Sequence, residues 1–146
     1  MAKWGKMDYK AFEKMAKNFE EAVKKDIGEQ LIIAILQEAG NKLLRKVKSR
    51  TPVKSGVLHD RWYISSVKRS GNNLYIEIYN NVEYASFVEY GHRQDVGRYV
   101  PAIGKRLKKE WVEGKFMLTI SMKEIEALLP KISDKHCKRV LEQLFN

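Results

Sequence analysis

The sequence predicts an α+β fold: a long N-terminal helix packed on a small antiparallel β-sheet with a hairpin core, then a short helix, an extended basic arm and a C-terminal helix. Three observations carry this. Apolar residues recur every three or four positions from Met7 to about Ser49, the period of an amphipathic helix. RWYISSVKR and NLYIEIYN alternate apolar and polar residues on either side of the turn SGNN, as a half-buried hairpin does. From Phe116 onward the helical spacing returns. At 146 residues the chain is expected to form one domain around one core. Residues 1–50 supply the long helix, 51–91 the turn, hairpin and short helix, 92–115 the arm, and 116–146 the C-terminal helical segment.

In the first helix the apolar face is Phe12, Met15, Phe19, Val23, Ile27, Leu31, Ala34, Ile35, Ala39, Leu43 and Val47, with Asp8 as the expected N-cap. Gly28 and Gly40 each weaken a helix interior by up to about 1 kcal/mol relative to Ala and mark where a break or kink would fall. LIIAILQEAG is apolar on every side, more than a helix wet on one face requires. Leu31, Ile32, Ile35 and Leu36 are therefore candidates for a subunit interface as well as for the core.

In SRTPVKSGVLHD, Pro52 disfavours helix at Thr51, and Gly56 permits a turn. In the second strand Leu74, Ile76 and Ile78 point to one face and Tyr75, Glu77 and Tyr79 to the other. VEYASFVEYG has the spacing of a short helix ended by Gly91. Tyr84, Phe87 and Val88 are expected to pack it onto the sheet, while Glu83, Glu89 and Arg93 make local or intersubunit polar contacts. The arm after Tyr90–Gly91 reads as irregular or extended. Six basic residues stand against two acidic ones between Arg98 and Lys115. In the last helix Thr119 or Ser121 is the expected cap, Ser121 and Glu124 having capping-box spacing. Pro130 is expected to kink or split that helix.

The net charge of +10 suits nucleic acid, acidic protein surfaces or anionic lipid without choosing among them. The single Cys137 excludes an intrachain disulfide and fits a reducing compartment. MAKWGKMDYK lacks the apolar core of a signal peptide. The longest apolar run, Leu31 to Leu36, is far short of the roughly 20 residues that span a bilayer. A soluble protein made in the cytoplasm is expected, with no membrane partner. His59, His92 and His136 are scattered, and adjacent His136 and Cys137 point about 100° apart on a helix, so no metal site is expected. Cys137 reads as a small buried or half-buried residue. Glu83, Glu89 and His92 are the best acid–base candidates, Glu89 and His92 being three apart, but no third group orients the histidine. No phosphate-binding glycine loop is present. No cofactor, no small-molecule substrate and no enzymatic activity are expected.

Three motifs in order carry a resemblance. Thr51, Pro52, Val53, Ser55, Gly56 and Leu58 match a Thr/Ser-Pro-Val-x-Thr/Ser-Gly-x-Leu turn. Asn80, Glu83, Tyr84, Ala85, Val88, Glu89, Tyr90 and Gly91 match Asn-x-x-Glu-Tyr-Ala-x-x-Val-Glu-Tyr-Gly. Gly114, Lys115, Phe116 and Met117 match Gly-Arg/Lys-Phe-Met. From about Lys42 to Leu128 the chain resembles the phage neck and tail-completion family, the gene-product-ten-like proteins. It departs from the family pattern at His59 and Asp60. The resemblance implies an assembly protein that forms a homo-oligomeric ring, a hexamer being the expected form, at the head-proximal end of a tail. It would join the tube to connector proteins as a completion, terminator or collar component. Contractile tails and headless, tail-derived bacteriocins use related parts. Its implied partners are the tail tube, the sheath or neighbouring neck proteins, with non-specific DNA contact as an option. It would be synthesised in the bacterial cytoplasm and built into the particle. The candidate interface adds Arg93, Arg98, Lys105, Arg106, Lys108, Lys109 and Trp111 of the arm to the apolar residues of the first helix. A basic nucleic-acid-binding module is the alternative, and a toxin-like hydrolase using His92 stands third.

Overall fold

The computed structural model describes residues 9–24 and 26–145. The predicted α+β architecture is present: long helices pack on one another beside short strands joined in antiparallel pairs. Helix α1 (Tyr9–Lys24) is followed by α2 (Ile27–Arg50). The break falls at Asp26, in the left-handed region with φ 53°, and not at Gly28 or Gly40. A short polar side chain tolerates that conformation better than most residues do. Gly40 has a different role. A Cβ there would stand 2.5 Å from Ile64 Cδ1 and 3.0 Å from Ile76 Cδ1, so its bare backbone lets α2 close onto the hairpin. The expected cap Asp8 lies outside the described residues, as do the side chains of Phe12, Met15, Phe19 and Val23.

After α3 (Val57–Asp60) come β1 (Trp62–Ile64), β2 (Lys68–Ser70), β3 (Asn73–Tyr75) and β4 (Ile78–Asn80). They form the predicted hairpin, β1 pairing with β4 and β2 with β3, both antiparallel. Positive φ at Gly71 turns the chain between the strands. Ser65 bonds Glu77 through its backbone N–H (2.8 Å) and accepts the Glu77 N–H on Oγ (2.9 Å). The next pair is Lys68 with Tyr75. Ser66 and Val67 therefore stand opposite Ile76 alone, a one-residue bulge that bends the hairpin and increases its twist. Leu74, Ile76 and Ile78 are half-buried, whereas Tyr75, Glu77 and Tyr79 are exposed, as the alternation predicts. Tyr63 and Tyr79 pair across the outer face with ring centroids 5.7 Å apart.

Helix α4 (Ala85–Tyr90) leads into β5 (Gly91–Arg93), β6 (Tyr99–Val100), β7 (Lys105–Arg106) and β8 (Trp111–Glu113). The stretch expected to be irregular or an extended arm is extended, and its strands pair into a second antiparallel ribbon, β5 with β8 and β6 with β7. The intervening chain continues the pairing through Gln94 N–H to Glu110 O and Gly97 N–H to Leu107 O, both 2.8 Å. At the tip Ile103 and Gly104 donate to Val100 O, with Pro101 in the turn and Gly104 at φ 62°. Pro pre-sets the first turn position and Gly takes the left-handed one.

Helix α5 (Met117–Phe145) runs unbroken through Pro130, which does not split it. The core gathers Ala39, Leu43 and Val47 from α2, Leu58, Trp62, and Met117, Ile125 and Ile132 from α5. Helices α2 and α5 run antiparallel. Glu124 of α5 meets Lys46 Nζ at 2.9 Å and Arg50 of α2. Further along, Glu38 of α2 meets Lys135 Nζ at 2.9 Å and His136 Nε2 at 2.5 Å on α5. Hydrogen bonds from Lys135 and then His136 hold the Glu38 carboxyl at about 2. Lys46, with Arg50 adding charge, lowers Glu124.

Candidate assembly interface

Each of the three motifs has a local physical task. Thr51 sits where α2 stops. Its Oγ1 donates to Val47 O (2.7 Å) and accepts the indole N–H of Trp62 (2.9 Å), so one hydroxyl ends the helix and satisfies a buried donor. Pro52 is exposed beside it, Gly56 takes φ 78° to open α3, and Leu58 enters the core. Asn80 then joins the first motif to the second: its Nδ2 donates to Leu58 O (2.8 Å) and its Oδ1 accepts from Val82 N–H (2.9 Å).

On α4 the packing agrees with the expectation at Val88 and differs at Tyr84 and Phe87. Ala85 and Val88 pack against the core, but Tyr84 and Phe87 are turned to solvent, Phe87 being 56% exposed. Glu83 and Tyr90 are exposed as well. The buried member is Glu89, at 5% exposure. Its Oε2 accepts the Leu118 N–H and its Oε1 the Thr119 N–H, both at 2.9 Å, and Thr119 Oγ1 donates to Oε1 at 2.8 Å. A carboxylate placed on the free N–H groups of a helix start satisfies them and complements the helix dipole. Glu89 thus supplies the N-terminal cap of α5 that Thr119 or Ser121 was expected to give. Ser121 is instead fully buried and bonds back to Met117 O at 2.6 Å.

The second and third motifs touch through their backbones. Lys115 N–H donates to Val88 O (2.7 Å) and Phe116 N–H to Glu89 O (3.0 Å). A Cβ on Gly91 would stand 2.4 Å from Val112 O, and one on Gly114 would stand 2.4 Å from Glu89 O. Only glycine allows this approach. Phe116 is held at φ 49°, its ring edge-on to Tyr90 with centroids 6.4 Å apart, and Met117 is fully buried. Three stretches far apart in sequence therefore build one junction that fixes the base of the second ribbon.

Beyond that base the ribbon carries the charged candidates. Arg93 pairs across from Trp111, Arg106 from Tyr99 and Lys105 from Val100. The Trp111 ring lies over the bare Cα of Gly91. Arg93, Arg98, Lys105, Arg106, Lys108 and Lys109 are all exposed. So are Val96, Tyr99 and Ile103, at 62, 53 and 55%. The apolar candidates on α2 lie on the other side of α2's role: Ile35 packs against the core, Leu31 and Leu36 are half-buried, and Ile32 is 48% exposed. The structure does not bring the two sets together.

The polar residues weighed for chemistry are otherwise engaged. Glu89 and His92 do not pair; the His92 ring stands 5.6 Å from that of Phe87 and its Nδ1 is buried without a hydrogen-bond partner. Cys137, expected to be buried or half-buried, is exposed, and its neighbour His136 is buried. Among the described residues no three His, Cys, Asp or Glu side chains come together to hold a metal ion, and no helix is long and apolar enough to cross a membrane. The Glu89 cap escaped sequence reading because it reaches 29 and 30 residues along the chain. The ribbon left a signal in Pro101 and Gly104, a turn pair between Tyr99-Val100 and Lys105-Arg106.

No curated protein and no solved structure matches the chain. A family does: the HK97-gp10-like family, described as a tail component of bacteriophage HK97, matches residues 13–91. That span is more than half of the chain, runs from α1 to the end of α4, and includes the first two motifs but not the third. The chain belongs to the HK97-gp10-like family of phage tail components.

Proposed function

We propose that this chain is a ring-forming subunit at the head-proximal end of the tail, completing the tube and joining it to neck proteins. The observation that carries the reading is the second ribbon. It projects from the body on a base made rigid by Gly91, Gly114 and the Glu89 cap, while its distal half is exposed, basic and partly apolar. A lone two-stranded ribbon is marginally stable in water, and exposed apolar side chains at its tip gain by being covered. A ring is built from unlike patches meeting between neighbours, and a projecting ribbon supplies one such patch. The basic side chains suit an acidic surface on a neighbour, on the tube, or on DNA passing through.

The test is cryo-electron microscopy of tails or particles from the source, together with charge reversal of Lys105, Arg106, Lys108 and Lys109. A ring of this chain at the tube end, lost in the charge-reversed variant, is the expected result. Complete tails lacking the chain, with DNA binding that falls steeply with salt, would replace this reading with the nucleic-acid-binding one.

A further inference from the structure

Two uncovered patches on this chain have opposite shapes. The convex one is the ribbon tip, where Tyr99, Pro101 and Ile103 are exposed. The concave one is a largely apolar pocket of about 480 Å³ between the two leading motifs, lined by Pro52, Lys54, Ser55, Leu58, Tyr84 and Val88. The ribbon begins at Gly91, three residues past Val88 of α4, which lines this pocket. About ten residues at roughly 3.3 Å each carry its tip on the order of 30 Å away from that base. A tip held out on paired strands does not fold back to a pocket beside its own base.

The charges flanking the two patches are complementary. Arg98, Lys105 and Arg106 flank the tip. Two carboxylates lie close in the chain to residues that line the pocket: exposed Glu83 precedes Tyr84, and exposed Asp60 follows Leu58 by two residues, its Oδ2 3.5 Å from where a Cβ on Gly56 would be. Asp60 also accepts from His59 Nδ1 at 2.8 Å, and Lys54 is the one cation among the lining side chains.

We propose that the ribbon tip of one copy, led by Ile103, seats in the Tyr84–Val88 pocket of the next copy. The inference rests on the ring reading and deepens it, because a convex patch entering a different, concave patch is a heterologous contact that closes into a ring when the rotation allows. Ile103 fills the apolar floor, and Arg98 and Lys105 meet Glu83 and Asp60 at the rim. This gives the two signature motifs an outward function beside their packing role.

The experiment uses the full chain in assembled particles. Ile103→Cys and Tyr84→Cys are combined in a Cys137→Ser background and oxidised mildly; both sites are exposed, so the fold tolerates them. The expected result is a ladder of disulfide-linked multimers of this chain, absent from either single-cysteine variant. A ring visible by microscopy without the ladder overturns the docking and leaves the ring reading intact. Tails with no ring and no ladder remove both. A linked monomer, or a link to a different protein alone, also overturns the docking. Independently, Ile103→Asp is expected to lower incorporation into particles at least tenfold with an unchanged unfolding temperature; incorporation at the original level overturns the proposal.

Discussion

The carboxylate of Glu89, on a helix of six residues, caps the helix that begins at Met117, receiving the backbone N–H of Thr119 at 2.9 Å and its hydroxyl at 2.8 Å. One buried side chain thereby couples the end of the second motif to the start of α5. Glu89→Ala leaves those donors without acceptors and is expected to cost about 2 kcal/mol. Glu89→Gln, which keeps an acceptor oxygen but no charge, is expected to cost about 1 kcal/mol. Urea unfolding measures both, and hydrogen exchange should place the loss in the first turn of α5. Equal stability of all three proteins would remove the cap from the account.

The two glycines of α2 are expected to respond with opposite sign. A Cβ on Gly28 meets nothing within 4 Å, so Gly28→Ala should stabilise by roughly 0.5 kcal/mol through helix propensity. At Gly40 the added methyl meets Ile64 and Ile76, and Gly40→Ala should destabilise by about 1–3 kcal/mol, as overpacking does. Thermal unfolding of the pair decides the matter. A stabilising Gly40→Ala would mean that the helix does not close on the hairpin.

Acid should loosen the α2–α5 seam. Glu38 is held at about 2, below its ordinary 4.5, by Lys135 and His136, and Glu124 is lowered by Lys46 and Arg50. A depressed carboxylate contributes stability above its unfolded value, and that contribution is lost as pH falls toward the folded one. Stability should therefore drop between about pH 4.5 and pH 2, and Glu38→Gln should flatten that part of the profile. An unchanged acid limb in the variant would show that other carboxylates set it.

Thr51→Val removes the acceptor of the Trp62 indole while keeping the shape. A buried donor left unpaired costs about 1–3 kcal/mol. The same change frees Val47 O at the end of α2. Chemical unfolding followed by tryptophan fluorescence checks the size, and Thr51→Ser, which retains the hydroxyl, should recover most of it.

Much of this was legible in the sequence. The helices, the first hairpin and α4 declare themselves through local period, since each pattern repeats within a few residues of itself. Even the inward set Leu74, Ile76 and Ile78 follows from alternation alone. What stayed hidden depends on contacts across the chain. Tyr84 and Phe87 have apolar character and the right spacing for packing, yet the face of α4 turned inward is set by Glu89 reaching for α5. The second ribbon is broken into pairs of two or three residues by Gly97, Pro101 and Gly104, too short for alternation to register. Asp26 breaks the first helix where two better-known helix breakers stand nearby, because Gly40 is needed for close approach and Gly28 lies within the first turn of the new helix.

The crossing of Gly91 and Gly114 has a consequence for how such a protein diversifies. Everything between those two positions enters and leaves the body through a single pinch of backbone, and the distal strands β6 and β7 pair with one another. That makes the ribbon an exchangeable cassette: its length, tip and charge can be rewritten without disturbing the body, provided the two glycines stay. A tail gene could acquire a new neighbour by swapping some twenty residues, and a hairpin from a relative, spliced between Gly91 and Gly114, should fold in place on this chain.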